Sequence, residues 1–448
     1  MRSNRNFLVY LTLSLSALTA PLTAVQLPKT REELCKHDSQ FGENDTLEIR
    51  KRQEFLTPNK SHLLLNEGSS FKIYEWNEDL SQVLVILDVG SENIDATLEK
   101  LRIANMFGDK NFNKPNFDLR VSPKFTSLYC LKLVSGDYQI LYVSERYRRT
   151  LQNAPKDPRF MKYMSSLKNR MDFYYLMIQS FSAISWFHMK HCDVRPVSIN
   201  YREDGDAWLS NYDDLSVDVT LIPVTTNFNR TLGWGSSCID PPVEYTEPAE
   251  FGGNINSSEE YSENVEYFSL SLVYLYIETQ ILDKLVENIE DKEPLNNILA
   301  KIPSSTKGLL PYLNVFYSLQ GTSLSEIFSL LLLILNRFNT AQKQQNKLID
   351  FSYSMFKKDV EYLGKGMKAY YEFLLNHQKV DTNNIKKLLK VYDNFTELLA
   401  TMVRENNATI FFERPSGSLI RRTFNLARID IQKLNFDVTR RARQMLLI

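Results

Sequence analysis

Two short polar strings flank a predicted β-hairpin in the middle of the chain. The first is His191-Cys-Asp-Val-Arg-Pro-Val-Ser-Ile199, and the second is Leu209-Ser-Asn-Tyr-Asp-Asp-Leu-Ser216. Carboxylates of this kind can accept a proton in catalysis, and carboxylate and amide oxygens bind hard divalent cations. The predicted hairpin pairs Val197 to Tyr201 with Ala207 to Ser210 around an Asp204-Gly205 turn. The strings are therefore the first candidates for a chemical site.

Both strings resemble motifs of protein kinases. The first resembles the catalytic loop His-Arg-Asp-Leu-Lys-Pro-x-Asn-Ile, which implies Asp193 as catalytic base, Arg195 at the loop lysine and Ser198 at a metal-binding asparagine. The second resembles the Asp-Phe-Gly motif, rewritten as Asn211-Tyr212-Asp213, so Asn211 would take the place of the other metal ligand. Asp193 and Asn211 lie 18 positions apart, as in typical kinases.

Three further strings follow the order that a kinase has. Asn66-Glu-Gly-Ser-Ser-Phe-Lys-Ile-Tyr74 is similar to a glycine-rich loop that keeps only Gly68. Pro241 to Glu250 resembles the end of an activation segment, and Glu266-Tyr-Phe-Ser-Leu-Ser-Leu resembles the start of the central helix, with Glu266 at its structural aspartate. The resemblance covers residues 63–335 and rests on the ordered spacing of these strings.

The phosphate-handling residues that the resemblance calls for are depleted. Ile86 or Leu87 stands where kinases carry the phosphate-binding lysine, and a hydrocarbon side chain leaves phosphate charge unmatched. Asn211 and Ser198 weaken both metal positions, because magnesium prefers carboxylate ligands. ATP and magnesium are the implied cofactors, but these replacements argue against their binding. We therefore expect a pseudokinase that acts by protein binding or scaffolding.

An active enzyme is the alternative. Lys72 follows Phe71 as a lysine does in the with-no-lysine kinases, and Asp213 offers a carboxylate two residues beyond Asn211. The cofactor-binding candidates of this alternative are Gly68, Lys72, Ser198, Asn211 and Asp213. The simpler interpretation of Lys72, an exposed strand lysine, is favoured, because the alternation of its strand does not show which face is buried. An atypical Ser/Thr-type kinase would use Asp193 as base and Lys72 for the phosphates.

The surrounding patterns predict an α+β, bilobal, protein-kinase-like fold. Short β-branched and aromatic runs predict a β-rich N-lobe over residues 63–143 with one inserted helix, and long helical patterns predict a C-lobe over 148–335. Met171 to His188 is so densely apolar that we expect a helix buried nearly all round. Ile327 to Leu335 is too short an apolar run to cross a bilayer and predicts a buried helix.

The N-terminal residues have the layout of a secretory signal peptide. Arg2 and Arg5 precede the apolar run Phe7 to Leu18, and Ala24 marks a predicted cleavage point, giving a signal over 1–24 and a lead-in over 25–62. An uncleaved signal anchor is the alternative.

Four cysteines allow three disulfide pairings, and six Asn-x-Ser/Thr sites are compatible with a glycoprotein: Asn44, Asn59, Asn229, Asn256, Asn394 and Asn407. We expect a secretory-pathway or extracellular protein. The Asp-Val-Arg-Pro string also resembles divergent secretory-pathway kinases.

Residues 340–448 predict a helical C-terminal extension. Two apolar stripes at helical spacing predict a helix pair that docks against the lobe or itself, or alternatively a dimerisation or partner-binding module. The last segment is a basic tail containing Arg421, Arg422, Arg428, Arg440, Arg441 and Arg443. Because the whole chain carries 53 Lys and Arg against 54 Asp and Glu, charge does not favour nucleic acid as a partner.

Overall fold

The computed structural model describes residues 35–36, 64–67, 71–76, 82–108, 121–123, 125–147, 149–203, 221–226, 232–233, 238, 240–251, 259–299, 323–346, 351–405 and 416–434. The chain divides into two compact units, one of residues 1–77 and 82–144 and one of 78–81 and 145–448. A sheet dominates the first unit and helices dominate the second. The predicted α+β class is therefore confirmed.

The first unit is built on a six-stranded sheet with the order β1-β5-β6-β4-β3-β2. Its strands are β1 (Cys35–Lys36), β2 (Leu64–Glu67), β3 (Phe71–Glu75), β4 (Gln82–Val89), β5 (Phe125–Lys132) and β6 (Tyr138–Glu145). Helix α1 (Ile94–Gly108) follows β4, as the sequence pattern predicts. β1 pairs in parallel with β5, and a disulfide joins the register partners Cys35 and Cys130.

Alternating residues of the sheet form the core of the first unit. Side chains project to alternate faces along each strand, and β4 is buried on both faces, because Val83 and Val85 are buried as well as Leu84 and Ile86. Leu84 and Ile86 of β4 are at most 4% exposed. The core cluster consists of Leu84, Ile86, Leu131, Leu141 and Val143, with Tyr74, Trp76 and Tyr129 packed against it.

The second unit begins with short strands around residues 191–199. β9 (Ile199–Glu203) lies between β7 (Arg149–Thr150) and β10 (Leu221–Thr225), and β8 (Met189–Lys190) pairs with β11 (Leu232–Gly233). β9 pairs with β10 from Ile199 to Glu203, and its other edge pairs with β7 at Asn200 and Tyr201. The predicted pairing of 197–201 with 207–210 is therefore wrong, since the partner strand of this hairpin is β10.

Helices make up the rest of the described second unit, and side-chain caps mark several of their starts. They are α2 (Pro158–Met164), α3 (Leu167–Trp186), α4 (Glu259–Glu287), α5 (Glu293–Leu299), α6 (Leu324–Lys343), α7 (Tyr353–His377), α8 (Thr382–Met402) and α9 (Gly417–Lys433). Ser166 and Ser416 each accept a hydrogen bond from an amide of the first turn, and Ser323 forms a capping box with Glu326. These bonds satisfy amides that a helix start leaves without partners.

The C-terminal helices pack on α3 and α4. α7 pairs with α8, both contact α4, and α9 lies against α3. Tyr174 of α3 stacks on Phe395 of α8 with ring centroids 5.6 Å apart, and Phe424 of α9 packs edge-on against Tyr274 of α4. The extension therefore shares one core with the helices before it, as the docked-pair prediction expects.

A polar network lies inside this core. Arg170 and Glu278 are fully buried and lie 2.8 Å apart, and Glu278 also accepts hydrogen bonds from the Tyr174 and Tyr392 hydroxyls. Arg170 donates to the carbonyls at the end of α2. The carboxylate thus ties α3, α4 and α8 together, because a buried charge is tolerated only when it is paired and hydrogen-bonded.

α6 is the one helix among the described residues that is long and apolar enough to cross a membrane. It has 20 residues and a mean hydropathy of 1.2 over its most apolar window. Leu331 and Leu335 are completely buried, and the helix packs against α4 and α7.

Candidate functional site

The loop from Lys190 to Ser198 gathers three of the predicted site residues. It leaves β8, passes through Cys192 in the left-handed region at φ 62°, and enters a 3₁₀ turn at Pro196–Ser198 that leads into β9. Proline at the first position of that turn supplies the required φ and lacks an amide that would need a partner. The turn brings Ser198 into contact with Asp193, so the loop surrounds the Asp193 carboxylate.

Asp193 is 1% exposed, and neighbours within the loop occupy both of its oxygens. The Arg195 Nε atom lies 2.7 Å from Oδ1 in an ion pair, and the Ser198 hydroxyl donates to Oδ2 at 2.8 Å. Arg195 also lies 3.9 Å from Glu244. The structure thus brings together Asp193, Arg195 and Ser198, but in an arrangement that neutralises and buries the predicted base.

His191 fixes the backbone of this loop through both ring nitrogens. Nε2 lies 2.7 Å from the Thr226 carbonyl oxygen, to which only a protonated nitrogen can donate. Nδ1 lies 3.3 Å from the Asp193 amide nitrogen and accepts its hydrogen. The two contacts require a neutral imidazole with its hydrogen on Nε2, so His191 serves as a bridge between the loop and the end of β10.

Glu266 supports the loop from α4. Its Oε1 atom accepts a hydrogen bond of 2.8 Å from the Cys192 amide, and the side chain is 3% exposed. Burial raises the pKa of Glu266 to about 7, although the Cys192 and His191 amides and the Lys190 ammonium act in the opposite direction. A carboxylate at this point holds the strained backbone at Cys192 against the central helix.

A disulfide and an ion pair attach the segment 240–251 to the same loop. Cys192 is bonded to Cys238, which selects one of the pairings that the sequence left open. Glu250 lies 3.2 Å from Lys190 and accepts a hydrogen bond from the Cys238 amide. The far side of the segment is held by α6, where Asn339 donates to the Val243 and Thr246 carbonyls. The segment is therefore fixed from both sides.

The described residues at the end of β10 include no carboxylate for a metal. Thr226 follows β10 directly, and its amide and hydroxyl both donate to the Ser198 carbonyl. From Leu221 to Ile239 the sequence contains no Asp or Glu. Among the described residues no group of three His, Cys, Asp or Glu side chains could hold a metal ion. Hydroxyl groups alone are poor ligands for magnesium, so the residues placed here do not fit the implied metal.

The structure does not place the other four predicted site residues in this loop. Gly68, Asn211 and Asp213 lie outside the described residues. Lys72 lies in the first unit, where it stands opposite Ile86 in the pairing of β3 with β4. Opposite residues of an antiparallel pair project to the same face, so Lys72 leaves the sheet on the face of the core cluster and is half-buried.

Sequence reasoning missed two contributors to the site. Lys190 precedes the recognised string and pairs with Glu250, sixty residues away, a long-range contact with no local signal. Thr226 was missed because the Asp204-Gly205 turn signal predicted a hairpin with 207–210, whereas Thr226 follows the strand that pairs with β9.

All four cysteines are paired, as Cys35–Cys130 and Cys192–Cys238. Since disulfides of this kind persist in oxidising compartments, the pairing indicates such an environment. In comparisons with known proteins, no protein-family model matches the chain and no curated protein is significantly similar to it.

Proposed function

We propose that the chain is a secreted or luminal pseudokinase, a protein with a kinase-like arrangement that acts by binding another protein. The observation that carries this proposal is the state of Asp193, which is buried and bound by Arg195 and Ser198. A catalytic base must reach the proton that it removes. Asp193 instead serves as an anchor for its own loop.

The contacts around the loop support the kinase likeness. The Glu266 carboxylate accepts from the Cys192 amide, which is the backbone-holding task that the structural aspartate of the central helix implies. The hairpin follows the loop, and the segment 240–251 returns to it through Glu250. Asn211 and Ser198 at the two implied metal positions support the loss of metal binding, because magnesium prefers carboxylate ligands. Protein binding then remains as the activity that such an arrangement can offer.

The C-terminal helices are the preferred contact surface of this proposal. They are rigid parts of the second unit, since α7, α8 and α9 share a core with α3 and α4. A preorganised surface binds a partner without a large ordering cost. A protein partner would contact the outer faces of these helices or the neighbouring helices of the second unit.

Thermal unfolding with nucleotide tests the proposal. The purified secreted chain would be heated with millimolar ATP or ADP, with and without magnesium or manganese, beside Lys72→Ala and Asp193→Asn variants. A nucleotide that binds only the folded state raises Tm in proportion to its affinity. We expect no metal-dependent shift. A rise in Tm that Lys72→Ala abolishes would overturn the pseudokinase proposal.

One observation favours the atypical kinase as a second candidate. Lys72 is the cross-strand neighbour of Ile86, one of the two positions at which the resemblance would place the kinase lysine. A lysine supplied by the adjacent strand on the same face would restore the missing charge. The distinguishing measurement is phosphate transfer from labelled ATP to the chain itself and to casein. Incorporation that both Lys72→Ala and Asp193→Asn abolish would establish this candidate, whereas its absence beside an active control kinase would exclude it for these acceptors.

A further inference from the structure

An apolar groove runs between α8 and α9 on the second unit. It encloses about 530 Å³, within the roughly 300–1,000 Å³ of sites that hold small ligands. Met171, Phe395 and Phe424 form part of its lining. Leu419 and Leu426 of α9 also line it and remain 50% and 48% exposed. These two half-exposed leucines extend the apolar lining of the groove to the surface.

Asn394 stands at the edge of the same groove. It is exposed, it lines the groove from α8, and it begins the acceptor sequence Asn394-Phe395-Thr396. Phe395 points into the core, while Asn394 and Glu397 face solvent. Of the six Asn-x-Ser/Thr sites in the sequence, Asn394 is the one that the described residues include. The side-chain amide thus has open space in front of it and an uncovered apolar surface beside it.

We infer that Asn394 carries an N-linked glycan that lies over the α8–α9 groove and covers Leu419 and Leu426. The inference rests on the secretory part of the proposed function, because the transfer takes place in that pathway. The Asn394 Nδ2 atom forms a bond to the anomeric carbon of the sugar. The bond from that carbon to the diphosphate of a lipid-linked donor breaks, the diphosphate leaves, and one amide proton is released.

The groove has the chemistry to hold a sugar. The apolar faces of the first sugar rings can pack on the leucines, because pyranose rings present C–H groups on one side. Glu397 and Asp430 are exposed acceptors at the rim, and Thr401 and Thr423 add hydroxyl groups. A glycan needs no separate partner to reach this surface, since it is attached beside it.

Peptide mass spectrometry of the full chain, secreted from cultured animal cells, tests the attachment. Enzymatic release of the glycan in heavy-oxygen water would convert an occupied Asn394 to a labelled aspartate. Thr396→Ser keeps the acceptor sequence, whereas Thr396→Val keeps the side-chain shape but removes the hydroxyl that the transfer requires. We expect a glycan in the natural chain and in Thr396→Ser, and its loss in Thr396→Val and Asn394→Gln. Glycans at other sites with an empty Asn394 would overturn the inference but leave the secretory location standing.

Binding of an apolar dye tests the covering. Removing the glycan from the folded chain should increase the fluorescence of 1-anilinonaphthalene-8-sulfonate, and Asn394→Gln should give the same increase. A Leu419→Ser/Leu426→Ser double variant should abolish the increase. An occupied Asn394 without any increase would overturn the covering and leave the groove to a second copy or a partner helix. Retention inside the cell with no glycan at any site would instead contradict the secretory location on which the inference rests.

Discussion

Lys190 and Glu250 form an ion pair 3.2 Å long with side chains that are 1% and 0% exposed. The pair links β8, at the entry of the Asp193 loop, to the 3₁₀ turn at Pro248–Glu250. Glu250 uses its other oxygen to accept from the Cys238 amide. Both charges are therefore buried, and their mutual attraction offsets much of the loss of hydration.

The first prediction concerns this ion pair. Glu250→Gln should lower the free energy of unfolding by about 3–5 kcal/mol, because it removes the carboxylate that pairs with the buried Lys190 ammonium. The double variant Lys190→Met/Glu250→Gln should lose less than Glu250→Gln alone. Urea unfolding of the four members of this cycle measures both effects. Equal losses in Glu250→Gln and the double variant would contradict the pairing.

The second prediction concerns the disulfide between Cys192 and Cys238. Replacing both cysteines with serine should lower the free energy of unfolding by about 2–4 kcal/mol, because the bond restricts the unfolded chain. Cleavage of the 240–251 segment by chymotrypsin, after Tyr245, should become faster in the same variant. Cys35→Ser/Cys130→Ser is the matched control, since it removes the other disulfide and should leave cleavage of that segment unchanged. Peptide mapping that pairs Cys192 with any other cysteine would contradict the structure.

Local patterns predicted the elements but not the long-range contacts that build the site. Strand β4 and helix α3 were predictable, because their apolar residues follow the strand and buried-helix patterns over many positions. The partner strand of β9 was not predictable. The Asp204-Gly205 turn signal indicates a strand directly after it, whereas β10 begins only at Leu221. The sequences of 207–210 and 221–225 both suit a strand, and a sequence pattern alone does not show which of them pairs with β9.

In the candidate site, too, the local arrangement could be predicted from the sequence and the long-range contacts could not. The short spacing of Asp193, Arg195 and Ser198 indicated that they act together, and the structure places them in contact. The sequence did not reveal that this contact buries the carboxylate, because burial depends on α4 and on the segment 240–251. The face on which Lys72 lies depended equally on its register with Ile86.

The third prediction concerns pH. Burial raises the pKa of Glu266 to about 7 in the folded chain, above its ordinary value of 4.5. Between these two values the folded state holds a proton that the unfolded state has released, so Glu266 favours folding at low pH. This contribution should be lost as the pH rises from about 4.5 through 7, by roughly 3 kcal/mol.

Glu266→Gln isolates that contribution. Glutamine keeps an oxygen for the Cys192 amide but cannot ionise, so the variant should lack this part of the pH dependence. Urea unfolding at intervals between pH 4.5 and 8 would give the difference in free energy of unfolding between the two proteins. We expect the natural chain to lose stability relative to the variant as the pH rises. A difference that stays constant, or that changes in the opposite direction, would show that Glu266 titrates normally.

The fourth prediction concerns the carboxylate of Glu278. The Tyr174 and Tyr392 hydroxyls donate to its two oxygens at 2.7 and 2.6 Å, and all three side chains are buried. Removing one hydroxyl leaves a buried carboxylate oxygen with one donor fewer. Tyr392→Phe should therefore lower the free energy of unfolding by about 1.5–3 kcal/mol, the usual range for a hydrogen bond to a charged group.

Tyr174→Phe and the double variant complete the test. Because both hydroxyls serve one carboxylate, the loss in the double variant should differ from the sum of the two single losses by more than about 0.5 kcal/mol. Tyr392 belongs to the C-terminal helices and Tyr174 to α3, so this coupling also measures how firmly the extension belongs to the unit. Strict additivity, or no loss in Tyr392→Phe, would mean that α8 packs on α3 and α4 without the shared carboxylate.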